Sequence, residues 1–458
     1  MIARFVRGTD ERLGASPLFS KALRYVFPDH WSFLLGEIAL YSFVALVATG
    51  VYLTLFFEPS LSETVYTGSY LPLRGETVTD AYASTLNLSF DVPAGLLLRQ
   101  THHWAAVVFV VAIVLHLMRI VFTGAFRKPR DVNYAIGVTL LAVSLVEGFA
   151  GYSLPDDLLS GMGLAIAYGV ALSIPLIGAQ IGQGFFGGEF PGVALYEPRL
   201  YIVHVLLLPV VLGGLISAHL AIIMRQKHSQ FPGPRRAEGN VVGSPLWPSY
   251  ALRSIGLLLA VSAVLVLLGG LVQINPIWQW GHYDIWQGTN GAQPDWYLGW
   301  LIGSLRIMPP LEITAFGWTL VPNPFFGGVL FPTVVFAVLY GWPAVERRLT
   351  GDYARHDLLE RPRDNPWRTA FGAGFFTWVA LIFIAGSGDR IYVSFGIPYE
   401  GQIWYFRIAV LVLPFVVFWI TRRICLALQA SESHPVRGSA GGRVRRAPDG
   451  GFERLPER

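Results

Sequence analysis

Residues 99–119 read RQTHHWAAVVFVVAIVLHLMR. A mostly apolar run of about 20 residues is long enough to cross a bilayer as one helix. This one carries three histidines and is closed by an arginine at each end. Ionisable side chains at membrane depth mark function by default. On a helix turning about 100° per residue, His102 and His116 project about 40° apart and share a face. His103 and His116 point to roughly opposite faces. The spacing selects His102 and His116 as a pair and leaves His103 a structural role.

A second stretch, residues 201–219, reads YIVHVLLLPVVLGGLISAH. His204 and His219 differ by about 60° and again share a face. If both stretches run in the same direction, His102 and His204 lie near one end, with His116 and His219 near the other. At the helical rise the two levels stand about 21–22 Å apart. Imidazole pairs on facing helices suit six-coordinate haem iron, one ring on each side. The chain has one cysteine, Cys425, so no covalent haem attachment motif exists and the two haems are expected to be b-type. A lone membrane histidine is as readily a buried, hydrogen-bonded side chain. Four that agree in spacing, face and depth favour ligands.

Two glycine pairs repeat the histidine step: Gly36 with Gly50, and Gly137 with Gly151, each fourteen apart. Glycine allows a flat macrocycle to approach the backbone, although either pair alone fits ordinary small-residue helix packing. Arg99 lies three residues before His102 and Arg119 three after His116. Each is placed to meet a haem propionate; snorkelling to the interface is the plainer alternative.

The whole chain fits this setting. Of 458 residues, 53% are hydrophobic and 14% charged, against about 25% charged in soluble domains. Mean hydropathy is +0.49. That excludes an ordinary soluble enzyme, a disordered chain and a nucleic-acid binder, despite a pI near 9.1. Eight stretches qualify as spans: residues 31–57, 100–123, 133–152, 200–224, 250–271, 326–340, 369–385 and 405–428. Residues 161–181 read as a further helix lying at the membrane surface. Residues 1–30 lack the short apolar core and cleavage site of a signal peptide, so the first span is expected to remain in place.

Basic residues set the orientation. Of 34 Lys and Arg, 27 fall on the side of the two termini, counting the adjoining helix ends. Both termini are therefore expected to be cytoplasmic, in a plasma membrane. The connections after the first, third, fifth and seventh spans then face outward, and the first three of these are the longest in the chain. The expected class is all-α and polytopic, with eight transmembrane helices. The first four form a dihaem four-helix bundle. The expected organisation is a cytoplasmic segment 1–30, a dihaem region 31–232, a second region 233–430 and a basic, disordered tail 431–458.

These residues resemble cytochrome b of the quinol-oxidising cytochrome bc complexes. The helix run 99–119, the loop FRKPRD, the end GYSLP of the third span and the run 201–219 carry the resemblance. So does Gln293-Pro294-Asp295-Trp296-Tyr297, which looks like the family's outer quinol-site motif. The likeness covers about residues 31–428 and is nearest to actinobacterial menaquinol enzymes. It implies that His102 and His204 ligate an outer, low-potential haem, and His116 and His219 an inner, high-potential one. It also matches Arg99 and Arg119 to propionate contacts, with Arg199 in a similar role. It implies oxidation of menaquinol at an outer site built from Pro294, Asp295, Trp296 and Tyr297. One electron passes to a Rieske iron–sulfur partner; the other crosses both haems to an inner quinone site, contributing to the proton gradient. A cytochrome c subunit, a homodimer and a supercomplex with a terminal oxidase are the implied partners.

Two departures bear on the outer site. The motif's acid is Asp295 where the family usually has Glu, one methylene shorter. The third span ends LPDD, with Asp156 where a Trp is usual. A carboxylate beside a quinol hydroxyl is a proton acceptor, although Asp295 by itself also reads as an exposed loop acid. The inner quinone site is weakly marked: Arg225, Lys227, His228 and Arg253 are equally explained by topology. Glu147, inside the third span, is left to hydrogen-bond within the bundle or line a proton path. The alternatives are a dihaem anchor of another oxidoreductase, which rarely needs eight helices or the PDWY motif, and a non-redox transporter, which predicts internal repeats.

Overall fold

The computed structural model describes residues 23–287, 295–433, 444–446 and 452–454. In chain order the helices are α1 (Trp31–Leu53), α2 (Asp80–Phe90), α3 (Gly95–Phe122), α4 (Asp131–Tyr152), α5 (Leu158–Leu172), α6 (Gly178–Phe186), α7 (Tyr196–Gln226), α8 (Leu246–Leu271), α9 (Gly299–Ile307), α10 (Phe326–Thr350), α11 (Pro366–Ala385), α12 (Gly388–Phe395) and α13 (Tyr399–Ser433). Eight of them, α1, α3, α4, α7, α8, α10, α11 and α13, are long and apolar enough to cross a membrane. They coincide with the eight stretches read from the sequence.

Where ends differ, local chemistry accounts for it. α10 runs about ten residues past the expected stop because Glu346 in its polar last turns is buried against Arg368 of α11. Gly351, at φ +68°, then ends the helix in the left-handed conformation. The Asn365 side chain accepts the Arg368 N–H at 3.1 Å to cap α11, and Pro366 fills the first helical position. Residues 161–181 form parts of two helices rather than one. α5 stops at Leu172 and α6 starts at Gly178, with Pro175 between them. Within α7, residues Val203–Leu207 form a π turn. Pro209 lacks the N–H that would reach the Val205 carbonyl, and the wider turn ahead of it absorbs the defect. His204 sits in that turn.

α3 is the central element. α1 and α8 pack along it, α4 and α11 touch it, and α7 packs on α4. Lipid offers no hydrophobic drive between helices, so close approach and internal hydrogen bonds must hold them. At Gly269 of α8 an added Cβ would lie 2.4 Å from Thr101 Oγ1 and 2.8 Å from Thr101 N. Only glycine permits that crossing. One core joins Leu117 and Val138 to Phe331, Val335 and Ile382, so the regions before and after residue 232 share their packing. At the end carrying α3's C-terminus, ion pairs tie the connections together: Arg127–Glu360 at 2.6 Å, Arg130–Asp357 at 3.0 Å and Arg347–Asp131 at 2.7 Å. Most of the tail lies outside the described residues. Within it α13 reaches Ser433, and Val444–Arg446 pairs antiparallel with Phe452–Arg454.

Candidate functional site

α3 and α7 bring His102 and His204 face to face. Their ring centres are 6.2 Å apart and their planes cross at 83°. Two imidazoles holding one metal ion from opposite sides, at metal–nitrogen distances near 2 Å, place their ring centres about 6 Å apart. The outer pair therefore fits a single iron between its rings. The outward nitrogens are already engaged. His102 Nδ1 lies 2.9 Å from Thr49 Oγ1 of α1. That hydroxyl spends its proton on the Ala45 carbonyl at 2.7 Å, so Nδ1–H is the donor. His204 Nδ1 lies 3.0 Å from Glu147 Oε1 and 3.2 Å from the Glu147 carbonyl. Both are acceptors, so here too Nδ1 donates. Each ring is left with an Nε2 lone pair, oriented by a supporting hydrogen bond as metal-ligating histidines require.

Glu147, the unexplained carboxylate of the third span, is thus the partner of His204. Sequence reasoning missed Thr49 for want of any signal.

The inner pair, His116 and His219, lies within electrostatic range of one another. His116 Nδ1 is buried without a hydrogen-bond partner among the described residues, and the His219 ring lies beside the Asn133 backbone. Each histidine has its own glycine. A Cβ at Gly36 would meet His116 Cε1 at 3.3 Å, at Gly50 His102 Cε1 at 3.2 Å, at Gly137 His219 Cε1 at 3.7 Å, and at Gly151 His204 Cε1 at 2.3 Å. The repeated step of fourteen has a direct cause: α1 backs the α3 histidines and α4 backs those of α7. The sequence reading gave these glycines to macrocycle edges, whereas what they meet here is imidazole.

Arg99 and Arg119 are half-buried, one at each level. Arg99 donates from both terminal nitrogens to the Asn275 carbonyl, at 3.2 and 3.1 Å. Its Nε has no partner among the described residues. The Arg119 guanidinium lies 4.3 Å over the Phe33 ring, and two of its nitrogens have no partner among the described residues. Buried cationic donors without acceptors call for an anion. Arg199 does not join them. It is exposed and donates to the Gly184 carbonyl at 2.9 Å. Five residues before His204, it projects about 140° away.

The connection before α9 brings the outer motif to the same place. Asp295 accepts from His103 Nε2, with both carboxylate oxygens 2.9 Å away. Tyr297 is 3% exposed and hydrogen-bonds Asp295. Gly148 of α4 makes room for it, since a Cβ there would stand 2.7 Å from the phenol oxygen. Trp296 packs edge-on against Phe383, and its indole N–H has no partner among the described residues. Pro294 lies outside the described residues. Gly50, His102, His103, Glu147, His204, Asp295 and Tyr297 all line one cavity of about 560 Å³, within the usual size of a ligand pocket. His103, read as structural, faces the motif's acid. Nothing in local sequence could reveal a partner 192 residues away.

At the inner level His228 is surrounded by aromatic rings, with Arg130 and Arg119 in electrostatic range. Its Nδ1 is 3.2 Å from the Tyr25 hydroxyl, and Phe27 packs at 4.9 Å. Burial, then Arg130 and Arg119, push its pKa down to about 4. Arg253 pairs with Asp29 at 2.8 Å in the open.

Known proteins resemble this chain over most of its length. The family profile described as "Cytochrome b(N-terminal)/b6/petB" matches residues 107–281. The cytochrome bc1 complex cytochrome b subunit of Streptomyces coelicolor is 46% identical over 449 residues, covering 98% of this chain and 82% of that protein. Its counterpart from Mycobacterium tuberculosis is 48% identical over 457 residues, covering 99% and 83%. A solved structure titled "Hyperthermophilic respiratory Complex III" shares the fold, with a TM-score of 0.69 over 92% of this chain and 99% of that one, at 19% identity.

Proposed function

The chain belongs to the cytochrome b family, as a cytochrome b subunit of a bc1-type complex, and on that premise we propose that it oxidises menaquinol at the cavity shared by His102, His204, Asp295 and Tyr297. It is a component of quinol–cytochrome c reductase. Membership sets aside the readings as another enzyme's haem anchor or as a transporter. When bound, two b-type haems, one at each histidine pair, supply one-electron carriers at two depths of the membrane. His102 and His204 would hold the outer group, and His116 and His219 the inner. Arg99 and Arg119 would meet their propionates.

The protein's own residues handle the quinol and its protons. Asp295 accepts a proton from the quinol hydroxyl. His103 orients that carboxylate, and Tyr297 closes the wall beside it. One electron leaves to a Rieske iron–sulfur partner that serves a cytochrome c subunit. The other reaches a quinone at the inner level, near Arg119 and His228. Moving that charge against the membrane potential, about 2.3 kcal/mol per 100 mV, stores energy. The working unit is a homodimer in the plasma membrane with cytoplasmic termini, joined to a terminal oxidase. The excess of Lys and Arg on the terminal side supports that orientation.

The observation that carries the reading is the single cavity joining an imidazole pair 6.2 Å apart to the Asp295–Tyr297 pair. A reduced-minus-oxidised spectrum of the purified complex tests it. Two b-type bands, reducible by menaquinol, are expected. Absence of any b-type band would sink the redox reading.

A further inference from the structure

Beyond Tyr152, α4 runs into Ser153-Leu154-Pro155-Asp156-Asp157, where both acids are buried. Asp157 is fully buried and Asp156 is 5% exposed. Glu197, in the first turn of α7, is fully buried as well. Their hydrogen bonding is incomplete. Asp157 Oδ2 accepts from Leu159 N at 3.2 Å as the N-cap of α5, while its Oδ1 has no hydrogen-bond partner among the described residues. Asp156 accepts the Thr79 hydroxyl at 2.8 Å. Neither carboxylate oxygen of Glu197 has a partner among the described residues. A carboxylate in such surroundings is costly when charged and cheap when it carries a proton.

The cluster leads away from the cavity. Arg99, Tyr152, Pro155, Asp295 and Tyr297 belong to the cavity wall. The buried Tyr152 phenol is within electrostatic range of both Asp295 and Asp157, and Arg99 is within range of Asp157. On the other side Asp156 is within electrostatic range of Glu197, Tyr196 and Tyr283. Tyr283 adjoins the partly exposed Asp284. The backbone holds the two acids inward. Tyr283 N donates to the Asp156 carbonyl at 2.9 Å, Leu158 N donates to Gly281 O at 3.0 Å, and Asp156 takes φ +51°.

We propose that Asp157, Asp156 and Glu197 form the exit relay for protons released at the outer quinol cavity. The inference rests on the function proposed above. Each quinol oxidised loses two O–H bonds, two protons and two electrons, and the electrons leave to the two acceptors already named. The two protons leave one after the other: each in turn forms an O–H bond on Asp295, passes by way of Tyr152 to Asp157, then to Asp156 and Glu197, and leaves to water past Tyr283, returning Asp295 to its ionised form. Burial, aided by Asp157, pushes Asp156 up to about 7 against the pull of the Thr79 hydroxyl. Burial pushes Asp157 up to about 6, against Ser160, the cap N–H and Arg99. Tyr82 also faces Asp157, and His282 pairs with it through the backbone. Groups in this range exchange protons near neutrality.

The test is menaquinol turnover by the whole complex between about pH 5 and 9, with the solvent deuterium isotope effect and both haem spectra recorded. Asp157→Asn keeps an N-cap acceptor for α5. It is expected to slow turnover about tenfold or more with both haems intact. Thr79→Val removes the bond that favours ionised Asp156, so the acid limb of the profile should move to higher pH. Unchanged turnover, profile and isotope effect in both variants would overturn the relay. If Asp157→Asn fails to assemble, the Thr79→Val profile decides alone, and an unmoved limb overturns the proposal. Asp295→Asn, run alongside, separates the two readings. Turnover lost there but normal in the other variants removes the relay and leaves the cavity's role standing. Normal turnover in Asp295→Asn removes the quinol-site reading and the relay with it.

Discussion

His103 Nε2 stands 2.9 Å from the carboxylate of Asp295, one residue along α3 from the histidine that faces His204. The helix therefore serves two sites at once. Its His102 face completes the imidazole pair with His204, and the next side chain, about 100° round, holds the acid of the outer motif. On the function proposed above, adjacent residues bring electron and proton chemistry to one cavity.

Replacing Asp295 with Asn should lower menaquinol oxidation by about 10²-fold or more, the usual contribution of a positioned base, with both haem spectra unchanged. Turnover equal to wild type would take Asp295 out of the mechanism.

Removing His103 as His103→Ala frees the Asp295 carboxylate. A hydrogen bond to a charged group contributes about 1.5–3 kcal/mol, so kcat should fall roughly ten- to a hundredfold. Because the effect is one of orientation, kcat should fall more than KM rises. His103→Gln, which keeps a donor, should recover part of the loss. A variant whose only defect is a lower yield of assembled complex would return His103 to a purely structural role.

His102→Ala or His204→Ala should abolish the outer haem band and quinol turnover together, while the inner band persists. If both bands survive, the pairing is wrong.

The glycines give a graded test. Gly151→Ala places a methyl 2.3 Å from His204 Cε1, whereas Gly137→Ala places one at an ordinary 3.7 Å from His219 Cε1. The first should displace the His204 ring and lose the outer haem. The second should leave both haems in place. Equal behaviour of the two variants in the difference spectrum would contradict the close approach of α4 to His204.

At the opposite end, Arg368 is buried between Glu346 and Glu360. Arg368→Met leaves Glu346 uncompensated in the interior, a change worth about 3–5 kcal/mol. Thermal unfolding of the purified complex should shift down by several degrees. An unchanged midpoint would mean that the pair contributes nothing net.

The sequence by itself determined the spans, the two histidine levels and the family. Those features follow from one-dimensional periodicity. About twenty apolar residues make a span, and steps of fourteen and fifteen keep side chains on one face. The glycine step was legible for the same reason, though not what each glycine faces. Two things needed the tertiary structure: the partners of Asp295 and His204, and the inward turn of Asp156 and Asp157. His103 and Asp295 are 192 residues apart, and His204 and Glu147 57 apart. No helical period links such positions; they meet because α4, α7 and the connection before α9 pack around one end of α3. Arg199 illustrates the converse. Its place just ahead of the α7 histidines suggested a site residue, yet rotation about the helix axis turns it to solvent. A helix's own period determines which residues share a face, and only packing determines what that face meets.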